Sequence, residues 1–229
     1  MNTLVWGMGL SALALPVGGS AKASAVAFPE GRFRLRRVLE RGLGGGGAII
    51  VTRDWGCRFT KLASGAQLDA QQIGGDVKAP PVLAALADIE RKREVSGLFP
   101  MRLDRSGTIV DWADGSTSIA NAVAQASRVI DRKALEQAAE TDAKRYLAEI
   151  GKTAASLVSQ VPRDLFFPEA GKRSESRKLA LPGGGSGSYE VTISARARVS
   201  SGLLIESERR IVTRIGDSAR VSRETWSIT

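Results

Sequence analysis

The clearest structural signal in the chain is the stretch YEVTISARAR, residues 189–198, in which apolar and polar side chains alternate. A period of two places Val191 and Ile193 on one face of a strand and the polar residues on the other. Two further β-like runs follow across short turns, at residues 203–215 and 219–228. We therefore predict a three-stranded antiparallel meander at the C-terminal end of the chain.

The expected turn length also sets the register of this meander. If residues 200–202 form the first turn, Arg196 lies opposite Glu206 and Ser194 lies opposite Glu208. Opposite charges that face each other across two strands stabilise the pairing. The sequence therefore predicts a charged, solvated face on these strands.

Residues 116–161 carry the longest helical pattern of the chain. Their apolar residues recur in steps of three, four and seven or eight, which keeps one stripe on one side of a helix. Hydroxyl side chains at its start can act as N-caps, and Pro162 ends it. We expect this long helix to cover one face of the sheet.

The N-terminal half contains a predicted hairpin. Residues 32–41 alternate between arginine and apolar side chains, and residues 48–53 form a short apolar strand beyond the glycine run 42–47. At Val38 and Leu39 the alternation changes phase, which predicts a β-bulge.

A second hairpin is predicted at residues 100–103 and 108–111, because Asp104 and Gly107 suit a type I turn between them. A short helix is predicted from Val82 to about Val95, and a flexible connector is expected around residues 163–187. The predicted fold class is α+β: an antiparallel β-sheet, made of the two hairpins and the C-terminal three-stranded meander, packed against one long and one short α-helix.

The N-terminal residues resemble an export signal. Residues 4–17 are apolar, and small residues up to Ala25 fit an A-x-A cleavage pattern after Ala23 or Ala25. We predict a signal peptide at residues 1–25, a single domain at residues 26–229, and a periplasmic location. The alternative is a buried N-terminal helix. Because the apolar run is shorter than the roughly 20 residues of a membrane span, no transmembrane helix is predicted in the mature chain.

The composition narrows the chemistry. The chain has no histidine and a single cysteine, Cys57, while its net charge is +9. This excludes catalytic triads with histidine, histidine metal ligands and an intramolecular disulfide bond. We predict a protein that is not an enzyme, with no cofactor, no metal site and no catalytic residues. The positive charge favours anionic partners.

Two motif-like features have simpler explanations. Residues 42–47, GLGGGG, match G-x-G-x-x-G, but the β-branched residues after them favour a hairpin loop over the helix that a dinucleotide site requires. The acidic pairs Glu206 with Glu208 and Glu136 with Glu140 have the residue type of glycosidase carboxylates, but basic neighbours favour solvated salt bridges.

Arginines on the predicted strands are the candidate anion-binding residues, because guanidinium groups bind phosphate and carboxylate with two hydrogen bonds. The candidates are Arg34, Arg36, Arg196, Arg198 and Arg210. The alternative is a solvated outer face that protects edge strands from aggregation.

Three functional hypotheses follow from these features. The first is a periplasmic protein that binds or scaffolds an anionic or amphiphilic envelope component, such as an anionic lipid or a glycan, with peripheral membrane contact. The second is a protein–protein interaction module of an envelope complex that uses an exposed strand edge. The third is a histidine-free hydrolase that depends on carboxylates. Nucleic acid is disfavoured, because few aromatic side chains are present to stack on bases.

Overall fold

The computed structural model describes residues 25–43, 47–95, 97–112, 161–180, 186–215 and 218–229. These residues form one nine-stranded antiparallel sheet with the order β5-β4-β3-β2-β1-β9-β8-β7-β6. Strands β1 to β5 follow one another from the middle of the sheet to one edge. Strands β6 to β9 follow one another from the opposite edge back to the middle, where β9 pairs with β1. The strands are β1 Arg32–Gly42, β2 Ala48–Leu62, β3 Gly65–Lys78, β4 Met101–Asp104, β5 Ile109–Trp112, β6 Gly171–Ala180, β7 Ser186–Ala197, β8 Leu204–Ile215 and β9 Ser218–Ile228.

The predicted fold class is wrong in its balance of helix and sheet. In the described part of the chain the helices are one 3-10 turn, Pro81–Leu83, and one short α-helix, α1 Ala84–Lys92, and no long helix packs against the sheet. The long helix predicted at residues 116–161 lies outside the described residues, apart from Val161. The sheet gains two strands that the sequence pattern does not show, β3 and β6. Both are rich in polar residues or glycine, so their β-structure comes from backbone pairing with a neighbour more than from local propensity.

The predicted hairpins and the meander are confirmed as strands. Arg196 lies opposite Glu206 and Ser194 opposite Glu208, as expected, and an Arg196 nitrogen lies 3.1 Å from a Glu206 carboxylate oxygen. The bulge predicted at Val38 is absent, because β1 pairs with β2 in unbroken register from Arg32 to Gly42.

The apparent change of phase in β1 has a physical cause. Leu35 and Arg37 both point to the buried side of the sheet, and Arg37 is only 7% exposed. We call this side, which carries Leu35, Trp55 and Trp226, the inner face. An arginine at an inward position looks like a break in the apolar pattern when it is in fact part of the interior.

Most of the core lies on the inner face. The largest buried side chains that the strands contribute to it are Trp55, Trp226, Leu35, Leu68 and Met101. Segments outside the sheet cover them, and their buried residues are Val95, Leu98 and Phe99 before β4, and Val161, Leu165 and Phe166 after β5.

A second, smaller cluster lies under α1. Leu83 and Ala87 pack there against Ile49, Val51 and Val77 of the sheet. Near the C-terminal end of the helix Arg53 donates hydrogen bonds to the Glu90 side chain and main chain, which ties the helix to β2. Arg53 is 3% exposed, so this contact is part of the interior.

The segment that begins at Val161 shows how the sheet is shaped. The Ile109 N–H of β5 donates to the Arg163 carbonyl at 2.7 Å, and the Leu204 N–H of β8 donates to the Phe166 carbonyl at 2.8 Å. Six strand spacings separate β5 from β8 in the strand order, which is about 29 Å in a flat sheet. Three residues reach only about 10 Å. The sheet must therefore curl around its inner face, with this segment bridging the two sides.

Candidate ligand-binding cavity

Three charged residues meet on the inner face, on neighbouring strands in the middle of the sheet. Arg37 of β1 donates from Nε to Glu224 Oε1 of β9 at 2.8 Å, and Arg209 of β8 donates to Glu224 Oε2 at 2.7 Å. Because β9 lies between β1 and β8, each carboxylate oxygen faces one arginine. We call these three residues the Glu224 network.

Two tryptophans form the apolar side of this network. The Trp226 and Trp55 rings stack with centroids 6.1 Å apart, and the guanidinium carbon of Arg37 lies 5.1 Å from the centre of the Trp226 ring. This geometry allows a cation–π contact in addition to the ion pair. The buried Trp226 Nε1–H has no hydrogen-bond acceptor among the described residues.

The network holds Glu224 in its charged form. The Glu224 residue is only 4% exposed. Burial by itself raises the pKa of this carboxyl, but the charges of Arg37 and Arg209 and their hydrogen bonds outweigh it, so that the pKa lies below its ordinary value of 4.5. Two guanidinium groups against one carboxylate leave one net positive charge in this network.

A cavity of about 500 Å³ opens beside the network, between the sheet and the segment that runs from Val161 to Arg173. Its size is within the range of about 300–1,000 Å³ that is typical of small-molecule sites. Apolar walls come from both sides of the cavity: Val161, Leu165, Pro168, Ile193, Ala195 and Trp226.

Arg209 links the network to the cavity. It lines the cavity, and its side chain is 30% exposed, whereas the Arg37 side chain is 9% exposed. Glu224 is the only acceptor bonded by Arg209 among the described residues. Since a guanidinium carries five N–H donors, donors of Arg209 remain for a ligand in the cavity.

The rim of the cavity carries both signs of charge. Arg163, Lys172 and Arg173 are its further cations, and Asp164, Glu169 and Glu208 are its further carboxylates. Within the described ranges only Glu208 among these six has an ion-pair partner, Arg223 at 3.4 Å. The three cations balance the three carboxylates, so the surplus positive charge beside the cavity comes from Arg37 in the Glu224 network.

The five arginines predicted from the sequence lie elsewhere. Arg34 and Arg36 point to the outer face of β1, where Arg36 forms a two-bond ion pair with Asp54 at 2.8 and 2.9 Å. Arg196 and Arg210 lie on the outer face of the C-terminal meander, and Arg196 pairs with Glu206.

The fifth, Arg198, is exposed in the turn after β7. Two strands, β8 and β9, separate β7 from β1. The structure therefore does not bring the five into one cluster.

The residues that line the site are harder to find from sequence. Arg37 and Arg209 belong to the arginine-rich strands, but nothing in their spacing separates them from the exposed arginines. The one usable signal was Arg37 itself, which occupies an inward position in the alternation Phe33, Leu35, Arg37, Leu39. Such a residue needs a buried counter-charge, and Glu224 supplies it.

No protein-family model matches the chain, and no curated protein matches it in sequence. No helix among the described residues is long and apolar enough to cross a membrane. The described residues also hold no group of three or more potential metal ligands.

Proposed function

We propose that this protein binds a small anionic amphiphile in the cavity beside the Glu224 network, without catalysing a reaction. The predicted export signal at residues 1–25 makes a component of the bacterial envelope the proposed ligand, and the periplasm the proposed place. The observation that carries the proposal is the partly exposed Arg209, which presents unused N–H donors at a cavity with apolar walls and a charged rim.

The two parts of the site suit the two parts of such a ligand. Carboxylate or phosphate oxygens would accept hydrogen bonds from Arg209, which are strengthened by the net positive charge of the network. An alkyl or ring system would lie against Ile193, Ala195 and the Trp226 ring, where burial of apolar surface is favourable by about 25 cal/mol per Å². A cationic amphiphile would gain the burial of apolar surface but would lose the hydrogen bonds from Arg209.

Hydrolysis fits the site less well. A carboxylate mechanism needs one group that is protonated near neutral pH to act as general acid. The pKa of Glu224 is lowered by Arg37 and Arg209, so this carboxyl stays ionised and hydrogen-bonded. Glu208, the other cavity carboxylate on the strands, belongs to the outer-face register of β8 and lies 3.4 Å from Arg223.

The proposal is tested by titrating the protein with dodecanoate and, in parallel, with dodecyltrimethylammonium, both below their micelle concentrations. The two probes share an alkyl chain and differ in the sign of the head group. We expect dodecanoate to raise the melting temperature and change the tryptophan fluorescence in a saturable way, and we expect the cation to have no saturable effect.

Three variants locate the binding. Arg209→Gln should weaken dodecanoate binding about tenfold or more, because a hydrogen bond to a charged group is lost, and Ala195→Trp should abolish it by filling the cavity. Val199→Trp is the matched control, since Val199 is fully exposed in a turn. Equal binding of both probes, or unchanged binding by the Ala195→Trp variant, would contradict the proposal.

A further inference from the structure

The two edges of the sheet differ. At one edge β5 has four residues, and the chain covers part of it, because the Ile109 N–H donates to the Arg163 carbonyl. At the other edge β6 has ten residues and pairs, within the described ranges, with β7 alone. An edge strand presents a row of outward N–H and C=O groups that can pair with another strand.

The β6 edge is strongly basic. Its sequence, GKRSESRKLA, contains four cations and one carboxylate. The carboxylate, Glu175, already forms an ion pair with Arg177. Lys172, Arg173 and Lys178 are exposed and form no ion pair among the described residues.

These charges disfavour a second copy of the chain as the occupant. If two copies paired through β6 in the symmetric antiparallel register centred on Glu175, Lys172 of one copy would face Lys178 of the other, and Arg173 would face Arg177. The two Glu175 residues would face each other. Like charges directly opposite each other destabilise a strand pair. The same charges would stabilise a strand with acidic residues in the matching positions.

We propose that β6 is a docking edge for an extended acidic segment of a partner protein, which adds a tenth strand to the nine-stranded sheet. All strand pairs of the sheet are antiparallel, and the added strand pairs in the same way. Its residue opposite Lys178 is acidic, and so are the residues five and six positions later, opposite Arg173 and Lys172.

The positions of the three cations on β6 require a specific pattern of acidic residues in the partner strand, and a high content of acidic residues alone does not meet it. Lys172 and Lys178 are in the same alternating set of β6, opposite Ser194 and Ser188 of β7. They lie about 20 Å apart along the strand, at about 3.4 Å per residue. Arg173 belongs to the other set, opposite Ile193. The partner must therefore present carboxylates on both of its faces in a fixed register.

The test uses a capped, fluorescent peptide as long as β6, with glutamate at the three matching positions, lysine opposite Glu175, and threonine and valine elsewhere. Its binding is measured by fluorescence anisotropy at physiological salt. A second peptide has lysine in place of the glutamate opposite Lys178. We expect wild-type protein to prefer the first peptide by about three- to tenfold in Kd, and the Lys178→Glu variant to reverse this preference.

Three controls separate strand addition from simple charge attraction. A scrambled peptide of the same composition should bind less tightly, and a peptide with alternate N-methylated amides should not bind, because its charge is kept but its N–H donors are lost. The Arg58→Glu variant changes an exposed cation on β2 and should leave binding unchanged within a factor of about two.

Several results would overturn the inference. They are no binding of the matched peptide, equal binding of the scrambled or N-methylated peptide, an equal effect of Arg58→Glu and Lys178→Glu, or a dimer in sedimentation equilibrium that Lys178→Glu changes.

Discussion

Replacing Glu224 by glutamine should destabilise the protein far more than breaking a surface ion pair. Glu224 is 4% exposed and Arg37 is 7% exposed, so the change leaves a guanidinium in the interior without its counter-charge. Breaking one partner of a buried pair costs about 3–5 kcal/mol. For a domain of this size this loss corresponds to a fall in melting temperature of about 6–20 °C.

The matched comparison is Asp54→Asn, which breaks a two-bond ion pair with Arg36, whose side chain is 45% exposed. That change should cost about 0–1 kcal/mol. The free energy of unfolding is measured by urea denaturation followed by tryptophan fluorescence. If Glu224→Gln costs no more than Asp54→Asn, then the network is not the buried, partnered charge cluster that the geometry describes.

A double substitution sharpens the same test. Arg37→Met together with Glu224→Leu removes the buried ion pair, and Arg209 keeps its charge on a side chain that is 30% exposed and can be hydrated. Well-packed apolar residues often replace a buried ion pair at little cost. We therefore expect the double variant to be more stable than Glu224→Gln alone. If the double variant loses as much free energy of unfolding as Arg37→Met and Glu224→Leu lose together, the two residues are not directly coupled.

Other measurements test separate parts of the structure. The pKa of Glu224 is lowered in the folded state, so its stabilising contribution is present above its ordinary pKa of 4.5 and is lost as the pH falls toward the folded value. The difference in the free energy of unfolding between wild type and Glu224→Gln should therefore become smaller when urea denaturation is repeated at acid pH. Burial raises the pKa of the Cys57 thiol to about 12, so a thiol reagent such as Ellman's reagent should react with it only after unfolding, and rapid reaction of the native protein would contradict its placement. Gly107→Ala should lower the melting temperature more than Gly202→Ala. Both glycines have positive φ, 81° and 70°, but only at Gly107 would the new Cβ clash with the Phe167 ring. Equal losses would mean that backbone strain alone determines the cost.

The strands with regular alternation could be predicted from the sequence. The period of two in residues 189–198 and the polar turn after it were enough to fix the pairing of Arg196 with Glu206. Local pattern suffices here because one face of the strands is polar and the other is apolar, which permits one register.

The strands β3 and β6 could not be predicted in the same way. β3 contains three glycines and three glutamines, and β6 contains mainly charged residues and serines. Their conformation depends on β2 and β7, to which they pair along most of their length. A preference supplied by a neighbouring strand is not present in the local sequence.

The candidate cavity was also beyond the reach of sequence patterns. Arg37, Arg209 and Glu224 come from three strands, and Arg37 and Glu224 are 187 positions apart in the chain. The sequence favoured arginine as the binding residue type, and the candidates selected were exposed arginines, two of which are paired with Asp54 and Glu206. An inward arginine in an otherwise apolar alternation was the informative exception.

The most direct test of the central claim is native mass spectrometry of the protein purified without detergent from a bacterial envelope, beside the Ala195→Trp variant prepared in the same way. We predict that wild-type protein carries a bound anionic amphiphile as a discrete added mass, and that the variant with the filled cavity lacks it. A bare chain mass for wild type, unchanged after incubation with envelope lipids, would contradict the claim.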